Sequence, residues 1–145
     1  MRHLVVLFAS VLAACGTHAA TSSESPAASA VEAPAPEPSP TARFLIEAAA
    51  ADFHAHRPLD PGRFRDVRMG HVMTPKQEKQ HLLCGQFLAH EGDTEEWVPF
   101  ATIKTSGYEQ WIGDQAAGLC QRKSLVWDDE VDLSSALQRR LESLR

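Results

Sequence analysis

The chain has 145 residues, of which 43% are hydrophobic and 23% are charged, and its formal net charge is −5 at pH 7. This length and composition allow one domain of the ordinary soluble type. Residues 1–14 contain one basic residue, Arg2, and no acid, so the charge of −5 becomes −6 when this segment is removed. A chain this acidic repels phosphate-rich surfaces, so we expect no nucleic-acid partner and no binding to anionic headgroups.

Residues 1–14 have the pattern of a secretory signal peptide. Arg2 and His3 precede an apolar run over residues 4–12, which has the length of a signal and is too short to cross a bilayer as a helix. The run ends in Leu12-Ala13-Ala14-Cys15, which resembles the lipobox of bacterial lipoproteins. The resemblance implies cleavage before Cys15 and acylation of its thiol and its new amino group. Cys15 would then anchor the protein to a lipid bilayer.

An ordinary secretory signal cut near Thr17-His18-Ala19 is the alternative, and it would release a soluble protein. The cysteine count favours the anchor, because lipidation of Cys15 leaves Cys84 and Cys120 as a pair and no odd thiol. In enterobacterial lipoproteins an Asp after the cysteine retains the protein at the inner membrane, whereas this chain has Gly16. For a Gram-negative envelope we therefore expect the outer membrane, with the domain facing the periplasm.

Residues 15–42 read as a lipidated cysteine followed by a stalk rich in Ala, Ser and Pro. From Gly16 onward this stretch has no Lys, Arg or aromatic residue, so it cannot bury enough apolar surface to offset its ordering entropy. In residues 33–40 every second residue is a proline, and this pattern favours polyproline II. A fully extended stalk would reach about 80 Å. It is either a tether that positions the domain away from the bilayer or a passive spacer of no tuned length.

Residues 43–145 predict an α+β domain, with a small antiparallel sheet of about three strands packed against two or three helices. A first helix, capped by Thr41, carries apolar residues at helical spacing and ends before the breakers Pro58, Pro61 and Gly62. Residues 64–73 and 80–88 predict two strands that form a hairpin across the polar turn 74–79. A third strand over 97–104 follows an acidic loop at 90–96, and Pro99 implies an edge position or a bulge there.

The C-terminal part predicts two more helices. Ser106 and Glu109 have capping-box spacing, which predicts a helix starting there with Tyr108 on its buried stripe. Members of that stripe are Tyr108, Ile112, Ala116, Leu119 and Cys120. A last helix follows the acids of residues 128–132, with leucines at helical spacing and arginines toward its end. Acids before bases complement the helix dipole, and the acids lack the spacing and glycine of a calcium loop.

Cys84, on the second strand, and Cys120 predict a disulfide that joins sheet to helix outside the cytoplasm. A nucleophilic Cys84 helped by His81 or His90 is the alternative. Residues 64–68, Cys84-Gly85-Gln86-Phe87 and Pro99-Phe100 resemble small exported α+β domains of proteobacteria. That resemblance implies export, a disulfide and an α+β fold, and it carries no catalytic residues.

No residue pattern predicts a catalytic centre, a metal site or a cofactor. His54 and His56 point to different sides of a helix, whereas zinc needs three or four convergent ligands. There is no Gly-x-Ser-x-Gly elbow, no Cys-x-x-Cys and no phosphate-binding glycine loop. The one enzymatic alternative is a glycan-cleaving pair of carboxylates. Its candidate acids are Glu91, Glu95, Glu96 and Glu109.

These observations favour a non-enzymatic envelope lipoprotein whose domain binds another envelope or imported protein, as assembly accessories and inhibitor or immunity lipoproteins do. The alternative is a module that binds or hydrolyses peptidoglycan. Aromatic side chains anchor protein and sugar partners alike. Trp97, beside Glu95 and Glu96 in the acidic loop, is our candidate for the partner-binding surface, whereas we expect most of Trp111, Trp127 and Tyr108 to be core.

Overall fold

The structure, a computed structural model, describes residues 37–56, 61–128 and 131–145. The signal segment, Cys15 and most of the stalk lie outside the described residues, as do Pro58, Asp129 and Glu130. The described part has three helices and five strands. They are α1 (Pro40–His56), β1 (Phe64–Met73), β2 (Lys79–Glu91), β3 (Thr94–Lys104), β4 (Tyr108–Ile112), α2 (Asp114–Cys120), β5 (Val126–Trp127) and α3 (Ser134–Glu142).

The α+β class and the antiparallel sheet are confirmed, but the sheet has five strands instead of about three. Its strand order is β4-β3-β2-β1-β5, and each neighbouring pair is antiparallel. The two additional strands, β4 and β5, are short and form the two edges. Within the described residues, no helix is long and apolar enough to cross a membrane.

Helix α1 begins two residues before the expected start, within the stretch assigned to the stalk. Ser39 caps it in place of Thr41, because the Ser39 Oγ accepts a hydrogen bond from the Ala42 N–H at 3.2 Å. Pro40 occupies the first helical position, where a missing N–H costs nothing. Since Ala42 is also buried, the folded domain starts before residue 43.

The β1–β2 hairpin is confirmed, but the loop expected at 90–96 is wrong. The β2–β3 ladder continues to the pair Glu91 and Thr94, which leaves a two-residue turn. Gly92 in that turn has φ 61, a conformation that side-chain-bearing residues rarely adopt. Glu95 and Glu96 therefore lie on a strand and not in a loop.

The helix expected from the Ser106 capping box is also wrong, because residues 108–112 form β4. The ladder between β3 and β4 extends from the pair Lys104 and Tyr108 to the pair Phe100 and Ile112. Helix α2 starts only after Gly113, which has φ 71. Tyr108 is exposed and lies on no buried helical stripe, although Ala116 is buried as expected. Backbone hydrogen bonds to an otherwise open edge of β3 override a local capping pattern.

Pro99 lies on the interior strand β3. At this residue, however, β3 has a ladder partner on the β2 side and none on the β4 side, as expected of an edge. The β3–β4 ladder begins at Phe100, one residue further along, and at Pro99 only the carbonyl oxygen is used, accepting from the Gly113 N–H at 2.8 Å. No ladder bond is lost through the missing N–H of proline.

The two faces of the sheet are covered by different helices. The helix-pair face, which contains Leu83, Phe87 and Phe100, packs against α1 and α3. At its centre the Phe53 ring from α1 makes edge-on contacts with Phe64, Phe87 and Phe100, with centroids 5.0–5.3 Å apart. The disulfide face packs against α2, and the expected Cys84–Cys120 disulfide is confirmed there. Its buried members are Leu82, Cys84, Ala101 and Ala116.

Helix α3 is held by an irregularity in β1. A bulge between Arg65 and Arg68 frees the backbone of Val67, whose carbonyl accepts from the Leu133 N–H at 2.7 Å. The Val67 N–H donates to the Ser134 Oγ at 3.1 Å. The expected leucine stripe is confirmed, since Leu133, Leu137 and Leu141 are buried.

Candidate functional site

The expected partner surface of Trp97, Glu95 and Glu96 is not one surface. Neighbouring residues of a strand point to opposite sides, so Glu96 lies on the helix-pair face opposite Ala89. Glu95 lies on the disulfide face, where its carboxylate is 3.3 Å from the Nδ1 of His90. Trp97 shares that face but is half-buried beneath the Arg65 guanidinium, 4.1 Å from the ring centroid.

Three of the four acids proposed for glycan cleavage, Glu95, Glu96 and Glu109, do not converge. Glu109 pairs with Ile103, and at about 3.4 Å per residue it lies about 27 Å along the sheet from Glu95. Glycoside hydrolases need their two carboxyl groups about 5–10 Å apart. Glu96 is on the other face of the sheet, so Glu95, Glu96 and Glu109 do not converge on one point.

The nucleophile alternative is wrong as well. Cys84 is bonded to Cys120, so its thiol is consumed. His81 pairs with His71 and lies on the helix-pair face, across the sheet from Cys84, while His90 contacts Glu95. Neither His81 nor His90 is therefore placed as a base for this cysteine.

An open groove of about 560 Å³ lies beside α2 on the disulfide face, and we call it the α2 groove. Trp111, which is 36% exposed, and Glu109 reach it from β4. The remaining lining residues are Gln80, Ile103, Asp114, Gln115, Gly118, Leu119 and Arg122. It combines an aromatic ring with amide and carboxylate groups, next to the sheet edge formed by β4.

A second cluster, missed by sequence reasoning, lies on the helix-pair face near the opposite edge. His71 of β1 and His81 of β2 are directly opposed in the ladder. The Nδ1–H of His71 donates to Oδ1 of Asp128, and the Nδ1 of His81 lies 3.2 Å from Oδ2 of the same carboxylate. Asp128 itself follows β5, and its N–H donates to the Met69 carbonyl at 3.1 Å.

Part of this cluster had a signal in the sequence. A hairpin with a turn at residues 74–78 places His71 and His81 at equal distances from the turn, and hence side by side on one face. Asp128 had no such signal, because only the pairing of the two-residue β5 with β1 brings it there. As one of the acids of residues 128–132, Asp128 was instead expected at the start of α3.

Tyr108 of β4 lies next to Asp52 of α1. Partial burial, and then the neighbouring Asp52 carboxylate, raise the pKa of Tyr108 above its ordinary value of 10.0. Its hydroxyl donates to Asp52 Oδ1 at 3.4 Å and so ties β4 to α1. The contact is structural and lies on the helix-pair face, away from the α2 groove.

Comparison with protein families, curated proteins and solved structures finds no match to this chain.

Proposed function

We propose that the chain is an envelope lipoprotein, anchored through acylated Cys15, whose domain binds another envelope or imported protein through the α2 groove. The supporting observation is the position of Trp111: it is exposed, it lines the groove, and it belongs to edge strand β4. Aromatic anchors of this kind dominate the energetics of protein interfaces.

The groove favours a partner segment that is extended and basic. Among the described residues β4 pairs only with β3, so its outer edge offers backbone groups to an added strand. Glu109 and Asp114 line the groove against a single base, Arg122. A Lys- or Arg-bearing strand would match both the edge and this charge.

The partner can be tested by crosslinking in cells and affinity recovery of the full-length chain. Trp111→Ala should reduce recovery of the partner by about tenfold or more, because removing an anchor costs above about 1.4 kcal/mol. Phe44→Ala is the matched control, since Phe44 is 37% exposed, as Trp111 is at 36%, but lies on α1. Glu109→Gln should weaken recovery less.

Two results would contradict this proposal. One is recovery of no protein above a control lacking residues 43–145. The other is equal loss, or no loss, in the Trp111→Ala and Phe44→Ala variants, which would separate binding from the α2 groove.

The anchor is tested separately by labelling cells with radioactive palmitate. We expect label in the full-length chain and none in the Cys15→Ala variant, because only a lipobox cysteine accepts the diacylglycerol. The Cys84→Ala/Cys120→Ala variant, which keeps Cys15, is the control and should retain the label. Label in the Cys15→Ala variant would contradict the anchor.

Peptidoglycan binding is a second candidate, favoured by the amides of Gln80 and Gln115 beside Trp111. An aromatic ring with neighbouring amide groups suits a sugar ring that bears acetamido groups. Full-length protein in detergent should then sediment with isolated peptidoglycan, and Trp111→Ala should abolish this while Phe44→Ala does not. Protein that stays in the supernatant would eliminate this candidate.

A further inference from the structure

His71, His81 and Asp128 come from three adjacent strands and converge on one point. Their potential ligand atoms, one from each residue, all lie within 4.8 Å of one another. His71 and His81 are a cross-strand pair, with ring centroids 5.7 Å apart. Asp128 reaches them from the far side of β1, from a position 57 residues after His71.

The cluster is sheltered from solvent. His71 is only 8% exposed, and the side chains of His81 and Asp128 are 24% and 16% exposed. Placing imidazole and carboxylate groups under cover costs free energy unless they are satisfied. Two hydrogen bonds to Asp128 satisfy these imidazole and carboxylate groups in part. The hydrogen bonds alone account for the arrangement, even if the cluster has no further function. A bound cation accounts for the same arrangement and for the choice of residues.

One of the ligand–ligand distances matches a small metal ion. With metal–ligand bonds of about 2.0–2.1 Å, two ligands of a tetrahedral ion lie about 3.3 Å apart. The distance between His81 Nδ1 and Asp128 Oδ2 is 3.2 Å. In the metal-bound form each imidazole keeps its proton on Nε2 and offers the Nδ1 lone pair, while the carboxylate supplies the negative charge.

The donor set selects the class of metal. Two imidazoles and one carboxylate suit zinc and other first-row divalent ions, whereas calcium and magnesium require mostly oxygen ligands. Three protein ligands also leave at least one coordination position for water or for a group from another molecule. This distinguishes the cluster from closed four-ligand structural zinc sites.

We propose that His71, His81 and Asp128 bind one first-row divalent metal ion, for which zinc is the natural probe. The ion would clip β5, whose ladder with β1 has only two residue pairs, to the β1–β2 hairpin. The proposal is independent of the α2 groove, which lies on the other face of the sheet. Each can fail without the other.

The test uses the full-length chain, purified in detergent and stripped of metal with a chelator. Calorimetric titration with zinc chloride should show one site per chain. His81→Ala and Asp128→Asn should each weaken zinc binding by at least about tenfold, since loss even of outer-shell partners costs about 10–100-fold. Co²⁺ titrated in place of zinc should give visible absorption bands that both variants lose.

Two controls make the result specific. His90→Ala removes a histidine from the same strand whose Nδ1 is 3.3 Å from a carboxylate oxygen, which closely matches His81 and Asp128. His54→Ala/His56→Ala removes the histidine pair at the end of α1. Both variants should bind zinc as the unaltered chain does.

Zinc affinity equal in the unaltered chain, His81→Ala and Asp128→Asn would overturn the proposal. So would an equal loss of affinity in either control. Thermal unfolding keeps the test decisive if His81→Ala does not fold: zinc should raise the melting temperature of the unaltered chain and not that of Asp128→Asn. An equal rise in both would show that these residues do not hold the ion.

Discussion

The helix-pair face and the disulfide face are two sides of one sheet, closed by different means. On the first, the 17-residue α1 and the nine-residue α3 cover a cluster of phenylalanines and leucines. On the second, a seven-residue helix packs on three buried side chains of the sheet and is bonded to the sheet by Cys84–Cys120. Apolar burial closes one face, and a covalent bond supports the other.

This difference explains where the α2 groove lies. A helix of seven residues is about 10 Å long and cannot cover a strand of eleven residues. The disulfide holds this helix in place with little apolar area behind it. The uncovered part of the disulfide face becomes the α2 groove. Four predictions test this division, from the largest effect to the smallest.

Phe53→Ala should destabilise the domain most, by about 3–5 kcal/mol in the free energy of unfolding. Phe53 is 1% exposed and contacts three other phenylalanine rings, so its removal leaves a cavity in the core of the helix-pair face. Denaturant unfolding measures the change. Phe44→Ala, on the exposed side of the same helix, should cost less than about 1 kcal/mol. Similar losses in both variants would contradict a core on this face.

Cys84→Ala/Cys120→Ala should cost about 2–4 kcal/mol, because the bond closes a loop spanning 36 residues and restricts the unfolded chain. The loss of stability should be larger in α2 than in α1, because hydrophobic packing holds α1 in place without the disulfide. Amide hydrogen exchange should show faster exchange in residues 114–120 and unchanged protection in α1. Uniformly faster exchange would mean that the two faces are not separable.

Gly85→Ala should cost about 1–3 kcal/mol through overpacking. A Cβ on Gly85 would lie 2.8 Å from atoms of both Phe100 and Val67. Gly118→Ala, on α2, meets nothing within 4 Å and should stabilise its helix by about 0.5–1 kcal/mol. Denaturant unfolding measures the change in the free energy of unfolding for each variant. Changes of opposite sign would confirm that one face is filled and the other is open, and changes of the same sign would contradict this.

The chain contains one tyrosine, so the titration of Tyr108 can be followed by absorbance alone. Partial burial and Asp52 raise its pKa above 10.0, so the contact contributes stability below about pH 10 that is lost as pH rises through the folded pKa. Asp52→Asn should move the midpoint down toward 10.0, and Glu47→Gln, an exposed acid on the same helix, should not. An unchanged midpoint in Asp52→Asn would show that Asp52 has no influence.

Much of the helix-pair face was predictable because its signals are long. Apolar spacing over α1 and the leucines of α3 extend over several turns, and β1 was predicted with its observed bounds. The Cys84–Cys120 pairing followed once Cys15 was assigned to a lipid. Cys15 itself, with its signal segment and stalk, stays a prediction.

The errors fall where the sequence signal is short. The five residues of β4 fit a helix start or a strand equally well, and only the open edge of β3 decided between them. The β2–β3 ladder extends to the two-residue turn at Gly92, and this places Glu95 and Glu96 on opposite faces of the sheet. Trp111, expected in the core, is exposed because the short α2 does not cover it.

The sequence by itself therefore determined the class of fold, the disulfide and the longest elements of this protein, because each depends on residues close together in the chain or on the cysteine count. Tertiary structure alone decided the α2 groove and the His71–His81–Asp128 cluster. Both combine residues from strands and helices far apart in sequence, and their convergence depends on strand register and on which edges remain open. Local patterns predict the pairing of His71 with His81, but neither the groove nor the position of Asp128.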